Sequence, residues 1–346
     1  MTLYGQAASL GAGGEAEAAI HLFDAVVARF GDARDELVRY VVAMSLYNQG
    51  VELGGLGRHE AAIVAYDDVV RRFGAAAEPK IQQQVALSLH NKAGRLMALG
   101  RSEEELRVYD AALARFGDSS DAEIRVIAAR MLYNKGGTLA QFSRFQEAGL
   151  TYAQVVADFG DDVQPEIQGV VGQAFVNVAA MFEQVGRHEE AFQVCDAFAT
   201  QWGSSTNPRV RAALASALFN KANLLASLGQ AEESVRAYRA VADQFGATTD
   251  LETMVIVASA LFNMANRLYA LGRADEALAT YDEVEARFAS VPDSNMQERL
   301  AAARNNRSAV LQATASRAPT ATSRSAVDPC PCGSGAAFVR CHGAIA

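Results

Sequence analysis

Apolar residues recur along this chain at helical spacing. Counting from Asn48, the small Gly50 stands at the second position and the large apolar Leu53 and Leu56 at the fifth and eighth. The same trio returns as Ala93, Leu96 and Leu99, then Gly136, Leu139 and Phe142, then Ala179, Phe182 and Val185, Ala222, Leu225 and Leu228, and Ala265, Leu268 and Leu271. Steps of three place each trio on one helical face, with the small residue admitting a close neighbour. Gly57, Gly100, Gly186, Gly229 and Gly272 follow directly, and Ser143 is the one substitution. Glycine there predicts a helix ending in the left-handed conformation. The other end is marked by Asp35, Glu78, Asp121, Gln164, Asn207, Asp250 and Asp293, mostly residues whose side chains accept from free helix N–H groups. Pro79, Pro165 and Pro208 come next, at the one helical position that tolerates proline. A first helix of about 20 residues follows from these signals.

A second helix starts at once after the glycine. Its small contact position is Ala62, Ala148, Ala191, Ser234 and Ala277, broken by Glu105. Four residues on stand Tyr66, Tyr109, Tyr152, Tyr238 and Tyr281, replaced once by Cys195, which reads as a small buried hydrophobe. Three further lie Val69, Ala112, Val155, Phe198, Val241 and Val284. So short a connection predicts antiparallel hairpins, with paired helices near 36–56 and 58–73 recurring through the chain.

The beat is 43 residues. Asn48, Asn91, Asn134, Asn177, Asn220, Asn263 and Asn306 keep it, as do Phe30, Phe73, Phe116, Phe159, Trp202, Phe245 and Phe288. A fixed period of this length means a solenoid, in which each unit buries its apolar face against its neighbours. Solenoids are mostly recognition surfaces, so function points first to partners.

The run Asn-Lys-Ala-x-x-Leu-x-x-Leu-Gly-Arg-x-x-Glu-Ala-x-x-x-Tyr resembles the tetratricopeptide repeat. The small, Gly, Ala and aromatic positions fall at that family's offsets. Its usual period is about 34 residues, so the present repeat is longer, mostly in the first helix and the loop before it. The resemblance covers residues 1–312 and implies an all-α, right-handed superhelical solenoid of antiparallel helix hairpins. The longer period leaves pitch and groove width open. The array is expected to begin with a partial unit, its first helix within residues 1–14 and its second at 15–30. Residues 293–312 are expected to form a lone first helix.

Composition narrows the function. A net charge of −9 argues against the array as a general nucleic-acid clamp, which needs a positive field. No stretch approaches 18 uninterrupted apolar residues, so no membrane span is expected. The start of the chain has no basic segment before an apolar one, so no secretory signal is read there, and a cytoplasmic protein is expected. Only four of the 31 basic residues are lysine, a bias that hints at a GC-rich bacterial genome. No phosphate loop, Ser/His/Asp set or paired-carboxylate motif appears, and the expectation is that the chain is not an enzyme.

The asparagines admit two readings, a ligand-binding ladder or one structural amide per unit. Their occurrence in every unit favours the structural one. The variable position just before each asparagine is the better binding candidate. The resemblance places it on the concave groove, where Tyr47, His90, Tyr133, Phe219 and Phe262 could anchor a protein or peptide segment. Lys92, Lys135 and Lys221, with Arg95 and Arg130, could add a basic strip. The competing readings are aromatics that cover a neighbouring helix and a basic strip that is solvated or paired within the molecule, the latter the favoured one.

The helical pattern stops near Gln312. Residues 313–327 are small and polar and read as a flexible linker. Residues 328–346 hold the three remaining cysteines. Cys330, Cys332, Cys341 and His342 form C-x-C-x8-C-H, a donor set that suits one structural, tetrahedral zinc ion with no open position. This segment resembles the SEC-C motif, matching also at Pro331, Gly333, Ser334, Gly335, Phe338, Arg340 and Gly343. The family often carries a basic pair where Ala336 and Ala337 stand. The expected function is a protein- or peptide-binding scaffold or adaptor with the zinc knuckle as second contact. Nucleic-acid or ribosome association through the tail, whose basic content is Arg317, Arg324 and Arg340, is one alternative. A sensor component of a multi-protein regulatory system is another.

Overall fold

A computed structural model describes residues 2–317. Helices α1 (Thr2–Ala12), α2 (Ala16–Phe30), α3 (Glu36–Gly55), α4 (His59–Phe73), α5 (Pro79–Ala98), α6 (Ser102–Phe116), α7 (Ala122–Gln141) and α8 (Phe145–Phe159) come first. They are followed by α9 (Pro165–Gln184), α10 (His188–Trp202), α11 (Pro208–Ser227), α12 (Ala231–Phe245), α13 (Leu251–Ala270), α14 (Ala274–Phe288) and α15 (Ser294–Arg317). No strand occurs among the described residues. The all-helical hairpin repeat expected from the sequence is present. The last helix runs five residues past Gln312, so residues 313–317 of the segment read as linker are helical. They contain no proline or glycine, and the first breaker in the sequence is Pro319.

The ends of the helices follow their punctuation. Asp35 Oδ1 accepts from the Val38 N–H at 3.0 Å. Asp121 Oδ1 does the same for Ile124 at 3.0 Å, and Asp250 Oδ2 for Thr253 at 2.9 Å. Each such cap is worth about 1 kcal/mol. Between paired helices the backbone turns through positive φ, +75° at Gly57 and +70° at Gly100. Ser143 adopts φ 58°, the one positive-φ non-glycine residue among those described. The turn is therefore kept even where the residue that eases it is absent.

The chain forms two compact units, one up to Leu224 and one from Leu225 onward. In the first, α1 through α10 pack as successive antiparallel neighbours, and alternate helices such as α3, α5, α7 and α9 also touch. One continuous core there includes Val42, Leu46, Val69, Phe73, Ile81, Val85, Tyr109, Phe116 and Met131. In the second, α13 packs on α12, α14 and α15. Tyr238, Val241, Leu261, Tyr281, Val284 and Leu300 are buried there. The small position explains itself in this packing. A Cβ on Gly50 would sit 2.5 Å from the Tyr66 ring, and one on Gly136 2.8 Å from Tyr152.

Where Cys195 replaces the core tyrosine, the next core position is enlarged to Phe198. Its ring stacks on Phe175 at 4.6 Å between centroids, refilling the volume. Cys195 is buried, and burial pushes its thiol up to about 11, so it packs as an uncharged group.

Candidate functional site on the asparagine face

The repeated asparagines tie one unit to the next. Asn48 Nδ2 donates to the Tyr4 hydroxyl at 3.1 Å, Asn91 to Tyr47 at 3.1 Å and Asn177 to Tyr133 at 3.0 Å. In the second unit Asn306 Nδ2 donates to Asn266 Oδ1 at 2.9 Å. The partner stands 44 residues earlier in the first three cases. In these four units the amide N–H group is used at a repeat-to-repeat contact, whereas Asn220 is exposed.

The position just before each asparagine has two duties. Tyr47, His90, Tyr133, Phe219 and Phe262 are all half-buried. Tyr47 lies at 6.2 Å from the Tyr66 ring, Tyr133 at 5.3 Å from Tyr152 and Phe262 at 6.2 Å from Tyr281. Each covers the second helix of its own hairpin, and the remaining surface of each ring faces out.

The residue just after each asparagine forms a second ladder. Lys92 pairs with Asp67 at 2.6 Å, Lys135 with Asp110 at 2.7 Å and Lys221 with Asp196 at 2.5 Å. Gln49 donates to Asp24 at 2.6 Å and Arg307 pairs with Asp282 at 2.6 Å at the same offset. Where the earlier residue is Ala153, the later one is Val178, so the charge disappears from both ends together. The lysines of the basic strip are therefore met by carboxylates of the preceding helix. Arg95 also turns inward, its Nη1 donating to the Gly54 carbonyl at 3.1 Å. These Asp partners lie 25 residues upstream in another helix, in line with the paired reading of the strip.

A third ladder marks the hairpin turn. Arg101 and Arg273 each reach forward to a glutamate three residues on, Glu104 and Glu276, and back to Glu60 and Glu232 of the preceding hairpin. The guanidinium hydrogen bonds hold Glu104 and Glu276 below the usual carboxylate range.

One feature of this face was visible only as an interruption. Glu105, in the place of the small contact residue, is 1% exposed. Its Oε1 accepts from the Thr138 hydroxyl at 2.8 Å, while Oε2 has no hydrogen-bond partner. Burial pushes the carboxyl up, opposed by the hydroxyls of Thr138 and Tyr109. Glu105 lines a cavity of about 360 Å³ together with His90, Tyr109, Tyr133, Thr138 and Tyr152. Burial, and then the neighbouring Arg130, push the His90 imidazole down, so it is neutral at pH 7. A sequence signal existed in the coincidence of Glu105 with Gly94 and Gly137, but nothing in it revealed a cavity.

Cys330, Cys332, Cys341 and His342 lie outside the described residues. No cluster of three or more His, Cys, Asp or Glu that could hold a metal occurs among the described residues. No described helix is long and apolar enough to cross a membrane.

Tetratricopeptide-repeat family patterns match residues 95–163 and 215–243, and the SEC-C motif matches residues 328–344. The chain carries tetratricopeptide repeats and a SEC-C motif. No curated protein matches it. Among solved structures, a tetratricopeptide repeat protein from Parabacteroides merdae is similar at 14% identity and TM-score 0.45, over 88% of this chain and 98% of that one. BtubC from P. vanneervenii is similar at 14% identity and TM-score 0.48, over 75% and 94%. PilF from Pseudomonas aeruginosa is similar at 17% identity and TM-score 0.41, over 75% and 96%.

Proposed function

We propose that this protein is an interaction scaffold whose tetratricopeptide repeats hold a protein or peptide segment on the asparagine face. The supporting observation is the set of half-buried aromatic and imidazole side chains at the same repeat position, Tyr47, His90 and Tyr133 in successive hairpins of the first unit, and Phe262 in the second. Such groups supply contact area at low entropic cost. The paired lysines add little attraction, because each already has a carboxylate.

The SEC-C motif is read as a second, tethered contact. Cys330, Cys332, Cys341 and His342 would hold one zinc ion, three thiolates and an imidazole making a full tetrahedral donor set. Zinc bound in this way supplies folding energy to a segment too short to build a core. The proposed domain plan is a repeat array, a link up to residue 327 and the zinc motif at residues 328–346. Two weak contacts on one chain gain from effective concentration. A reducing, cytoplasmic setting suits the thiolates.

The test is affinity capture with the full chain, a Cys330→Ser chain and a Phe262→Ala chain, the retained proteins being compared by mass spectrometry. A protein retained by the full chain, weakened in both variants and insensitive to ribonuclease, is the expected result. Retention of RNA that Cys330→Ser abolishes and Phe262→Ala does not would overturn the reading in favour of nucleic-acid association through the tail.

A further inference from the structure

We propose that the cavity formed by α5, α6, α7 and α8 is a binding site for a primary alkylammonium group, received by Glu105. The cavity is built by missing side chains in two consecutive units. Three residues after each asparagine the other units carry Val51, Ala180, Asn223, Asn266 and Ala309, but here the chain has Gly94 and Gly137. Around the position of a Cβ on Gly94 there is nothing within 4 Å, and around one on Gly137 only the Tyr152 hydroxyl at 3.5 Å. In the same place a carboxylate replaces the alanine or serine of the other hairpins.

A buried carboxylate costs free energy unless it is paired and hydrogen-bonded. Glu105 Oε1 accepts from Thr138, the Tyr109 hydroxyl also acts on the carboxyl, and Oε2 has no hydrogen-bond partner. Of the neighbouring cations, Lys92 pairs with Asp67 and Lys135 with Asp110, while Arg95 gives its Nη1 to the Gly54 carbonyl and keeps a buried Nε without a partner. The wall of the cavity is aromatic, from Tyr109, Tyr133 and Tyr152, and ring faces attract cations. Arg95 also lines the cavity, but no ion pair joins it to Glu105, so the carboxylate itself is left without a cation.

The vacant acceptor also selects among cations. A guanidinium is matched by two carboxylate oxygens side by side, and Oε1 is already taken by Thr138. A primary ammonium is a point charge whose three donors can serve Oε2 and the surrounding hydroxyls separately. The ammonium can belong to a lysine side chain of a bound segment, which rests on the scaffold reading, or to a free amine.

The full chain should be titrated calorimetrically with n-butylamine, with n-butanol as the neutral control, and with the peptide acetyl-Ala-Lys-Ala-amide. Parallel titrations use Glu105→Ala, which installs the residue of neighbouring hairpins and should fold, and Glu105→Gln, which keeps the shape. The expected result is binding of butylamine but not butanol, weakened by about tenfold or more in both variants. No binding of butylamine or peptide, equal binding of butanol, or unchanged affinity in Glu105→Ala would overturn the proposal. Tighter binding of the peptide than of butylamine assigns the ammonium to a lysine side chain, and the reverse assigns it to a free amine. Failed partner capture with intact butylamine binding would remove the scaffold reading and leave this site standing.

Discussion

The hairpin of α7 and α8 and the hairpin of α5 and α6 share one plan, and among their buried differences one exchanges an alanine for an acid. In the former, Ala148 is fully buried, and the equivalents of Gly137 and Thr138 in the following helix are Ala180 and Met181. In the latter, Glu105 takes that place, facing Thr138. The backbone turns and the core tyrosines are the same in both, Tyr152 and Tyr109 being 4% and 2% exposed. A solenoid therefore tolerates a local polar insertion, because each unit depends only on its neighbours. The difference also shows that Glu105 does not serve the repeat architecture, since the hairpins around it do without it.

The largest effect is expected from copying the acid into the ordinary hairpin. Ala148→Glu would bury a carboxylate where Met181 stands in place of the Thr138 hydroxyl and Ala180 in place of Gly137. We expect a loss of about 3–5 kcal/mol in urea denaturation. A loss under about 1 kcal/mol would mean that any hairpin accepts the acid, and the comparison would collapse.

An intermediate effect is expected from the ladder that both hairpins share. Asn177→Ala leaves the half-buried Tyr133 hydroxyl without its donor and should cost about 1–3 kcal/mol. Unchanged stability with lost partner capture would instead make the asparagines a ligand ladder.

The smallest effect is expected at the exposed charge ladder. Asp110→Ala frees Lys135, and surface pairs contribute about 1 kcal/mol or less. A measurable gain in affinity for an acidic peptide would show that the lysine strip is held in reserve for a partner.

Much of this molecule was legible in its sequence, and the limits have physical causes. Helix boundaries are set by residues that act locally, so Asp35, Pro79, Gly57 and Phe73 marked them within a residue or so. Even Ser143 was identified as the stand-in for a hairpin glycine, and it takes the left-handed conformation. The partners of polar side chains were not legible, because they come from other helices. Asn91 gave no sign that it reaches Tyr47, nor Lys92 that it reaches Asp67. The last helix continues past Gln312 to Arg317 because no breaker precedes Pro319. Glu105 was seen as a break in the small-residue series, while the space beside it depends on two glycines in two other helices.

Glu105 is a buried, half-satisfied acid that the repeat could do without. Its folded-state pKa is raised, so its contribution is most favourable below the unfolded carboxylate value, about 4.3, and is lost as pH rises through the folded value. Urea stabilities of the wild type and Glu105→Ala should therefore be compared between about pH 4 and pH 8. The account predicts that Glu105→Ala is at least as stable at neutral pH, because Thr138 keeps its bond to the Asn134 carbonyl at 3.2 Å. It also predicts that this advantage shrinks on acidification. A variant that is less stable than wild type at neutral pH, with a difference that does not change with pH, would contradict it.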